Sequence, residues 1–317
     1  MSKEILKNIV FHGMTVPPRL QIRKSKLFNN EVLTVLNFHR VFPNSGSTYG
    51  SLSPILFEEL IKYLMKNFHI CSFNEVHEIK TVKPKLVISF DDGYKDFIDY
   101  AVPILDKYKV CVNQNIIPHC VESGLPPINV LLQDFIGKAP LDLLKKIPID
   151  IDAGDYNRAK LGRKASFLIK YLPEAEFISC RSDLLGFLRN YPEFLCASVM
   201  TKKEILEISS IHEIGAHSFE HLSMEAQSYD YFCNDLSRCK EYFLNELKLD
   251  CDIYAFPNGS ATDEQVLLAQ KYGFNKILLV GDKYTSTNDG VFNRFTFDAK
   301  NMQEAKYKAF GRSVVIK

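Results

Sequence analysis

The sequence contains no CxxC pair, no glycine-rich phosphate loop, no long apolar run and almost no charge imbalance. Each absence excludes a class of function. Eight cysteines scattered over 317 residues, among them Cys71, Cys111, Cys180 and Cys233, read as reduced, mostly buried thiols of a cytosolic chain and not as a disulfide framework. No apolar run approaches the ~18 residues that a membrane span requires. Met1 to Gly13 carries Lys3 and Lys7 but neither an apolar core nor a small-residue cleavage site, so a secretory signal is not expected. Neither GxGxxG nor GKS/GKT occurs, which removes the common nucleotide-phosphate cradles. Lys+Arg total 39 against 38 for Asp+Glu, a net charge of +1 that gives no footprint for nucleic acid. The many phenylalanines and tyrosines lack interleaved basic runs and read as core. One local basic cluster, Arg19, Arg23, Lys24 and Lys26 beside Pro17 and Pro18, has two readings: a solvated charged loop, or a patch resting weakly on an anionic membrane surface.

What is present is a globular composition, 46% hydrophobic and 24% charged. Val32 to Phe38 reads as a buried strand ending in His39-Arg40. Ser53-Pro54 then reads as N-cap and first residue of a helix whose Phe57, Leu60, Ile61 and Leu64 share one face. Leu86 to Phe90 is a continuous apolar run of a doubly buried strand, followed by a helical stretch near Phe97 to Tyr108 and a strand near Val110 to Ile117. From about Val121 to Met200 leucines recur at helical spacing with no strand, which predicts a helical insertion in a single domain spanning 1–317. Alternation resumes with a Thr201/Glu204 capping box, a strand at Glu213 to Ala216, another at Cys251 to Phe256, a Thr262/Gln265-capped helix closed by Gly273, and strands at Lys276 to Val280 and Phe292 to Phe297. This α/β alternation predicts a parallel sheet or barrel.

The chemistry concentrates where strands end. Asp91, Asp92 and Gly93 follow the Leu86 run and fall at the carboxyl edge of the sheet, where α/β folds carry their sites. Extended backbone would send the two carboxylates to opposite sides, giving them different tasks. His217 and His221 are four apart and would grip one metal ion if the segment forms a helical turn. Such pairs are common by chance, but two histidines with one carboxylate form an open three-ligand site that can activate water. Asp92 can supply that carboxylate and Asp91 the base. The competing reading is a strand-ending turn whose aspartates cap the next helix.

Three segments in register resemble the motifs of the polysaccharide deacetylases, the superfamily that includes the nodulation-factor chitooligosaccharide deacetylases. Ser89-Phe90-Asp91-Asp92-Gly93 is similar to the first motif, His217-Ser218-x-x-His221 to the second, and Ala255-Phe256-Pro257-Asn258-Gly259 to the third. Leu36-Asn37-Phe38-His39-Arg40-Val41 resembles the opening strand of the branch acting on β-1,6-linked N-acetylglucosamine polymers and related glycans. The resemblance covers residues 32–120 and 200–300 and leaves the helical insertion at 121–200 unmatched.

It implies a distorted (β/α) barrel with fewer than eight regular strands, and a divalent metal, Zn²⁺ in the usual case, held by Asp92, His217 and His221. Asp91 would be the base, the Tyr94 N–H would help hold the oxyanion, and Phe256, Pro257 and Asn258 would line the substrate groove. The substrate implied is an N-acetylated carbohydrate, a surface glycan or its precursor; the cytoplasm, or the inner face of the membrane, is the compartment expected from the missing secretory signal. No histidine follows His221, so the family's late Leu-x-His motif is missing. In the branch with the histidine-bearing first strand, a residue at the position of His39 takes the acid's place; otherwise His39 caps the sheet edge. The third motif also lacks its arginine, for which Arg294 is the candidate substitute, the other reading being a surface arginine on an edge strand. A non-catalytic glycan-binding protein on the same barrel is the alternative from another class.

Overall fold

The computed structural model describes residues 10–44, 46–151, 157–281, 283–285 and 290–311; Lys3 and Lys7 lie outside them. Eight parallel strands form its sheet: β1 (Thr34–Phe38), β2 (His69–Ile70), β3 (Lys85–Phe90), β4 (Asn113–Ile116), β5 (Glu213–Ala216), β6 (Ile253–Ala255), β7 (Lys276–Val280) and β8 (Val291–Thr296). Because β1 pairs with both β3 and β8, seven of these strands close into a ring. The two-residue β2 pairs with Lys85 and Leu86 at the start of β3, below the point where β4 joins at Ser89 and Phe90. The result is a distorted (β/α) barrel.

Residues two apart on a strand face the same side, and this sorts the barrel into layers. Outside, Leu36, Phe38, Leu86, Ile88 and Phe90 meet Phe57, Leu60 and Leu64 of the helix Pro54–Asn67. Inside, Val35, Val87, Ile253, Leu278 and Phe292 form an apolar floor sealed by Phe73 and Val76. One step further along the same strands the interior turns polar, with Asn37, Ser89, Asn113, Asn115 and Arg294 all buried. Asp91 is the next inward-facing position above Ser89.

Local signals in the chain match the elements they start. Ser53 accepts the Leu56 N–H ahead of Pro54, and both halves of the capping boxes at Thr201/Glu204 and Thr262/Gln265 are formed. The basic cluster near Pro17 differs from expectation. Pro17–Asn29 is a helix, not a loop, because prolines are tolerated in a first turn. Its Leu27 is buried, and Arg23 donates to the Phe310 carbonyl at 2.8 Å.

Between β4 and β5 the chain forms the helices Ile128–Lys138, Leu141–Leu144, Arg158–Lys170 and Glu174–Leu188. The first is buried from Ile128 to Ile136, including Gln133 and Asp134. Asp134 Oδ2 accepts the N–H groups of Cys196 and Ala197, both at 2.8 Å. Arg40, just past β1, bonds Asp96 at 2.6 Å and lies 4.0 Å from Asp134, so one buried guanidinium links the barrel rim to these helices. Removing one partner of a buried pair strands the other's charge. Asp96→Ala should therefore lower unfolding stability by about 3–5 kcal/mol, read as a drop in the urea midpoint with an unchanged slope.

Candidate metal centre and active site

At the carboxyl end of β3 the backbone leaves the extended region. Asp92 takes φ +75° and Gly93 φ +70°, so the expected projection to opposite sides does not occur. Both carboxylates turn into the mouth of the barrel: His217 Nε2 is 3.9 Å from Asp91 Oδ2 and 3.4 Å from Asp92 Oδ1. A Cβ on Gly93 would stand 3.3 Å from the Ile116 side chain, so the turn favours glycine for space as well as for φ.

The two histidines also reach the site by another route than expected. His217–His221 is not a helical turn but a loop with Ser218 at φ +53° and His221 at φ +64°. A left-handed conformation at a non-glycine residue is strained and persists only where its surroundings over-determine it. Here they do. The His217 N–H bonds the Ile116 carbonyl at 2.8 Å, Ser218 Oγ accepts the His221 N–H at 2.8 Å, and Asp235 Oδ1 accepts the Phe219 N–H at 2.7 Å. Asp235 is itself held by the Tyr254 hydroxyl at 2.7 Å.

Hydrogen bonding then divides the work of the carboxylates. Asp92 Oδ2 receives the hydroxyls of Tyr94 at 2.8 Å and Tyr49 at 3.2 Å. Its Oδ1 is buried with no hydrogen-bond donor among the described residues, and the Nε2 atoms of His217 and His221 lie 3.4 and 3.2 Å away. His217 Nδ1 faces the Ala255 carbonyl at 2.8 Å, so Nδ1 carries the proton and Nε2 presents its lone pair. Burial pushes His221 well below the ordinary histidine value, with the Lys170 ammonium adding to the effect, which keeps its imidazole neutral. A buried carboxylate oxygen without a donor, opposite two imidazole lone pairs, fits a divalent cation. The three donor atoms lie within 4.8 Å of one another. Asp92, His217 and His221 are thus the residues that could hold it.

Asp91 is saturated differently. Its Oδ1 takes Arg294 at 2.7 Å and Asn115 at 2.8 Å, and Oδ2 takes Asn37 at 2.9 Å. Burial alone would raise this carboxyl, but Arg294, then His217 and His39, hold it well below the usual carboxylate range. Arg294 is fully buried on β8, which lies between β7 and β1 and is no edge strand. Gly215 on β5 makes room for this network, since a Cβ there would fall 2.3 Å from Asn115 Oδ1.

The remaining expected residues divide. His39 follows β1 and lines an open cleft of about 660 Å³ beside the carboxylates, its ring 6.1 Å from that of Tyr49. Burial lowers its pKa, and Asp92 and Asp91 pull it back only in part. Asn258 lines the same cleft, in a left-handed conformation at φ +59°. Phe256 does not line it. Strand alternation turns Ala255 inward and Phe256 outward, where its ring packs on Tyr254 at 4.9 Å and Phe232 at 5.6 Å. Pro257 is buried at the start of the turn. Tyr94 forms an antiparallel bridge with Val199, flanked by Met200 N–H to Gly93 O and Lys95 N–H to Ser198 O, both 2.9 Å. That pattern directs the Tyr94 N–H away from the 198–200 segment.

Four contributors were not anticipated: Tyr49, Asn115, Asp235 and Lys170. Asparagines flanked by Val112 and Ile116 in a short strand, and an aspartate on the apolar face of the helix Tyr229–Tyr242, are the signals that could have revealed two of them. Wild-type protein should bind Co²⁺ or Zn²⁺ one to one, His221→Ala should lose that binding, and Tyr94→Phe should weaken it about 10–100-fold, as read by titration calorimetry and Co²⁺ absorbance.

Residues 193–277, which carry His217, His221 and the Ala255–Gly259 turn, match the family model described as polysaccharide deacetylase. No curated protein matches the sequence. Among solved structures, the chain is similar to the Streptococcus pyogenes deacetylase PplD in complex with acetate, at 15% identity and TM-score 0.59 over 88% of this chain and 98% of that one. IcaB from Ammonifex degensii aligns at 16% identity and TM-score 0.57, over 88% and 97%. A de-N-acetylase from Aggregatibacter actinomycetemcomitans aligns at 16% identity and TM-score 0.54, over 88% and 99%. These likenesses show the barrel fold, and the match to the polysaccharide deacetylase model covers the segment that carries the second and third motifs.

Proposed function

We propose that the protein is a metal-dependent carbohydrate N-deacetylase, with zinc as the metal, acting on a surface glycan or its precursor in a reducing compartment. The observation that carries this reading is the split between two adjacent carboxylates. Asp92 leaves one oxygen open toward two imidazoles, while Asp91 is clamped as an anion by Arg294, Asn37 and Asn115. The solved deacetylase neighbours support the reaction class, and acetate, the product such a reaction releases, is bound in the PplD structure. Eight unpaired cysteines are consistent with the compartment.

A divalent ion at Asp92, His217 and His221 would supply Lewis acidity, polarising an acyl oxygen and acidifying a water. The chain's own residues do the rest. Asp91 Oδ2, with one donor from Asn37 and its free side toward His217, takes the proton from the attacking water. Its two Oδ1 partners fix the carboxylate plane, so the base does not swing away as charge moves. The Tyr94 N–H, turned from the 198–200 segment, donates to the developing oxyanion. His39, on the cleft side, relays the proton collected by Asp91 to the departing amine nitrogen. Asn258 and the hydroxyl-rich mouth orient the sugar.

A glycan-binding protein without catalysis would need no clamped carboxylate beside the ligand set, and the Arg294–Asp91 pair weighs against it. Asp91→Asn should retain metal stoichiometry but lose acetate release from N-acetylated oligosaccharides. Asp92→Asn and His217→Ala should lose both. His39→Gln should bind metal normally and slow turnover about 10²–10⁴-fold. An Asp91→Asn enzyme with wild-type turnover would refute the assignment of the base.

A further inference from the structure

One wall of the cleft that His39 lines comes from the helix Arg158–Lys170, which lies outside the stretch matched by the family model. Arg163, Ser166, Phe167, Lys170 and Tyr171 fall at i, i+3, i+4, i+7 and i+8, one face of that helix, and all five line the cleft. Phe167 and Tyr171 stack with ring centroids 4.5 Å apart at 29°, and Phe167 keeps 61% of its surface exposed. A large aromatic pair left in the open at the edge of a site is costly unless something covers it. A flat apolar platform of that size suits the C–H face of a sugar ring.

The charges beside the platform are of one sign. Arg163 and Lys170 have no carboxylate within 4.0 Å among the described residues, and Lys170 Nζ rests on Asn258 Oδ1 at 3.2 Å. Among the cleft's other charged residues, Arg40 is paired with Asp96 at 2.6 Å and Asp298 with Lys308 at 2.7 Å. Seven residues along a helix put Arg163 and Lys170 about 10 Å apart, one turn before and one turn after Phe167. Lys170 is also the nearer to the reacting end, since it lines the smaller cavity that contains His221.

We infer that this helix is the specificity element of the site, and that the substrate is an N-acetylated glycan carrying an anionic group, phosphate or carboxylate, on or next to the sugar that is deacetylated. The inference rests on the N-deacetylase reading. The sugar stacks on Phe167 and Tyr171, and the anion is held by Arg163 and Lys170. Arginine offers a fork that matches either oxyanion, and lysine a compact charge. The net +1 of the whole chain does not produce this field; it is local to one helix face.

The test compares three probes on the zinc-loaded full-length protein: the neutral chitin tetrasaccharide, the hyaluronan tetrasaccharide for carboxylate, and N-acetylglucosamine 1-phosphate for phosphate. Acetate release and direct binding by calorimetry are both recorded, at 20 mM and 300 mM NaCl. At least one anionic probe should exceed the neutral one by tenfold or more in kcat/KM and in affinity, and the advantage should shrink at high salt. Whichever anionic probe gains identifies the anion. Arg163→Gln, at an exposed position, should erase most of that advantage, and Arg163→Lys should keep part of it. Phe167→Ala should raise KM for every probe. Equal or better use of the neutral probe overturns the inference while leaving the deacetylase reading intact, and so does a preference unmoved by salt and by Arg163→Gln. Tighter binding of an anionic probe, lost in Arg163→Gln but with no acetate released from any probe, upholds the inference and overturns the deacetylase reading.

Discussion

The pairing of Arg294 with Asp91 is the constraint on which the rest of the site depends. A guanidinium fully buried in a barrel is tolerable only if its charge is met, and Asp91 meets it at 2.7 Å. The polar layer around them, Asn37, Ser89 and Asn115, supplies further partners for the pair. Below lies an apolar floor and above lies the ligand set, so this layer divides the part of the barrel that folds from the part that reacts. Because Asp91 is fixed as an anion, Asp92 is left as the carboxylate whose open oxygen can face a cation. Two neighbouring aspartates thereby acquire different tasks without differing in chemistry.

The same separation of scaffold from chemistry holds at larger scale. The ring of strands fixes His39, Asp91, Asp92 and His217 at strand ends, and a strained loop carries His221 to its place. The helices between β4 and β5 are tied to the rim through Asp134 and Arg40, and one of them reaches across to add Lys170 beside the ligands. The barrel therefore supplies the reaction, while these helices shape what can enter. Asn258 joins the two, since it belongs to the β6 turn and contacts Lys170.

The strands were legible because their apolar runs are long and end in turn residues, and Glu213–Ala216 and Lys276–Val280 coincide with their expected bounds. β2 was not, since two residues carry no periodicity. Pro17-Pro18 beside four cations suggested a loop, and the buried Leu27 that secures the helix is a tertiary contact no local pattern displays. In the site, residue identities were readable and conformations were not. Asp92 leaves the strand at φ +75°, so strand alternation misplaced it, and the same alternation, applied to Ala255 and Phe256, would have turned Phe256 away from the groove. Arg294 sits between Phe292 and Phe295, and either face was open to it until ring closure made its strand internal. Lys170 had no signal at all, because its role depends on where a helix ends in space.

As a metal-dependent deacetylase, the function proposed above, the protein would release acetate only with a cation bound at Asp92, His217 and His221. The direct measurement is acetate release from an N-acetylated oligosaccharide by protein stripped with a chelator, dialysed, and then titrated with zinc. No release is expected from the stripped protein, with recovery that saturates at one equivalent of zinc. Undiminished release by protein shown to be metal-free would contradict it.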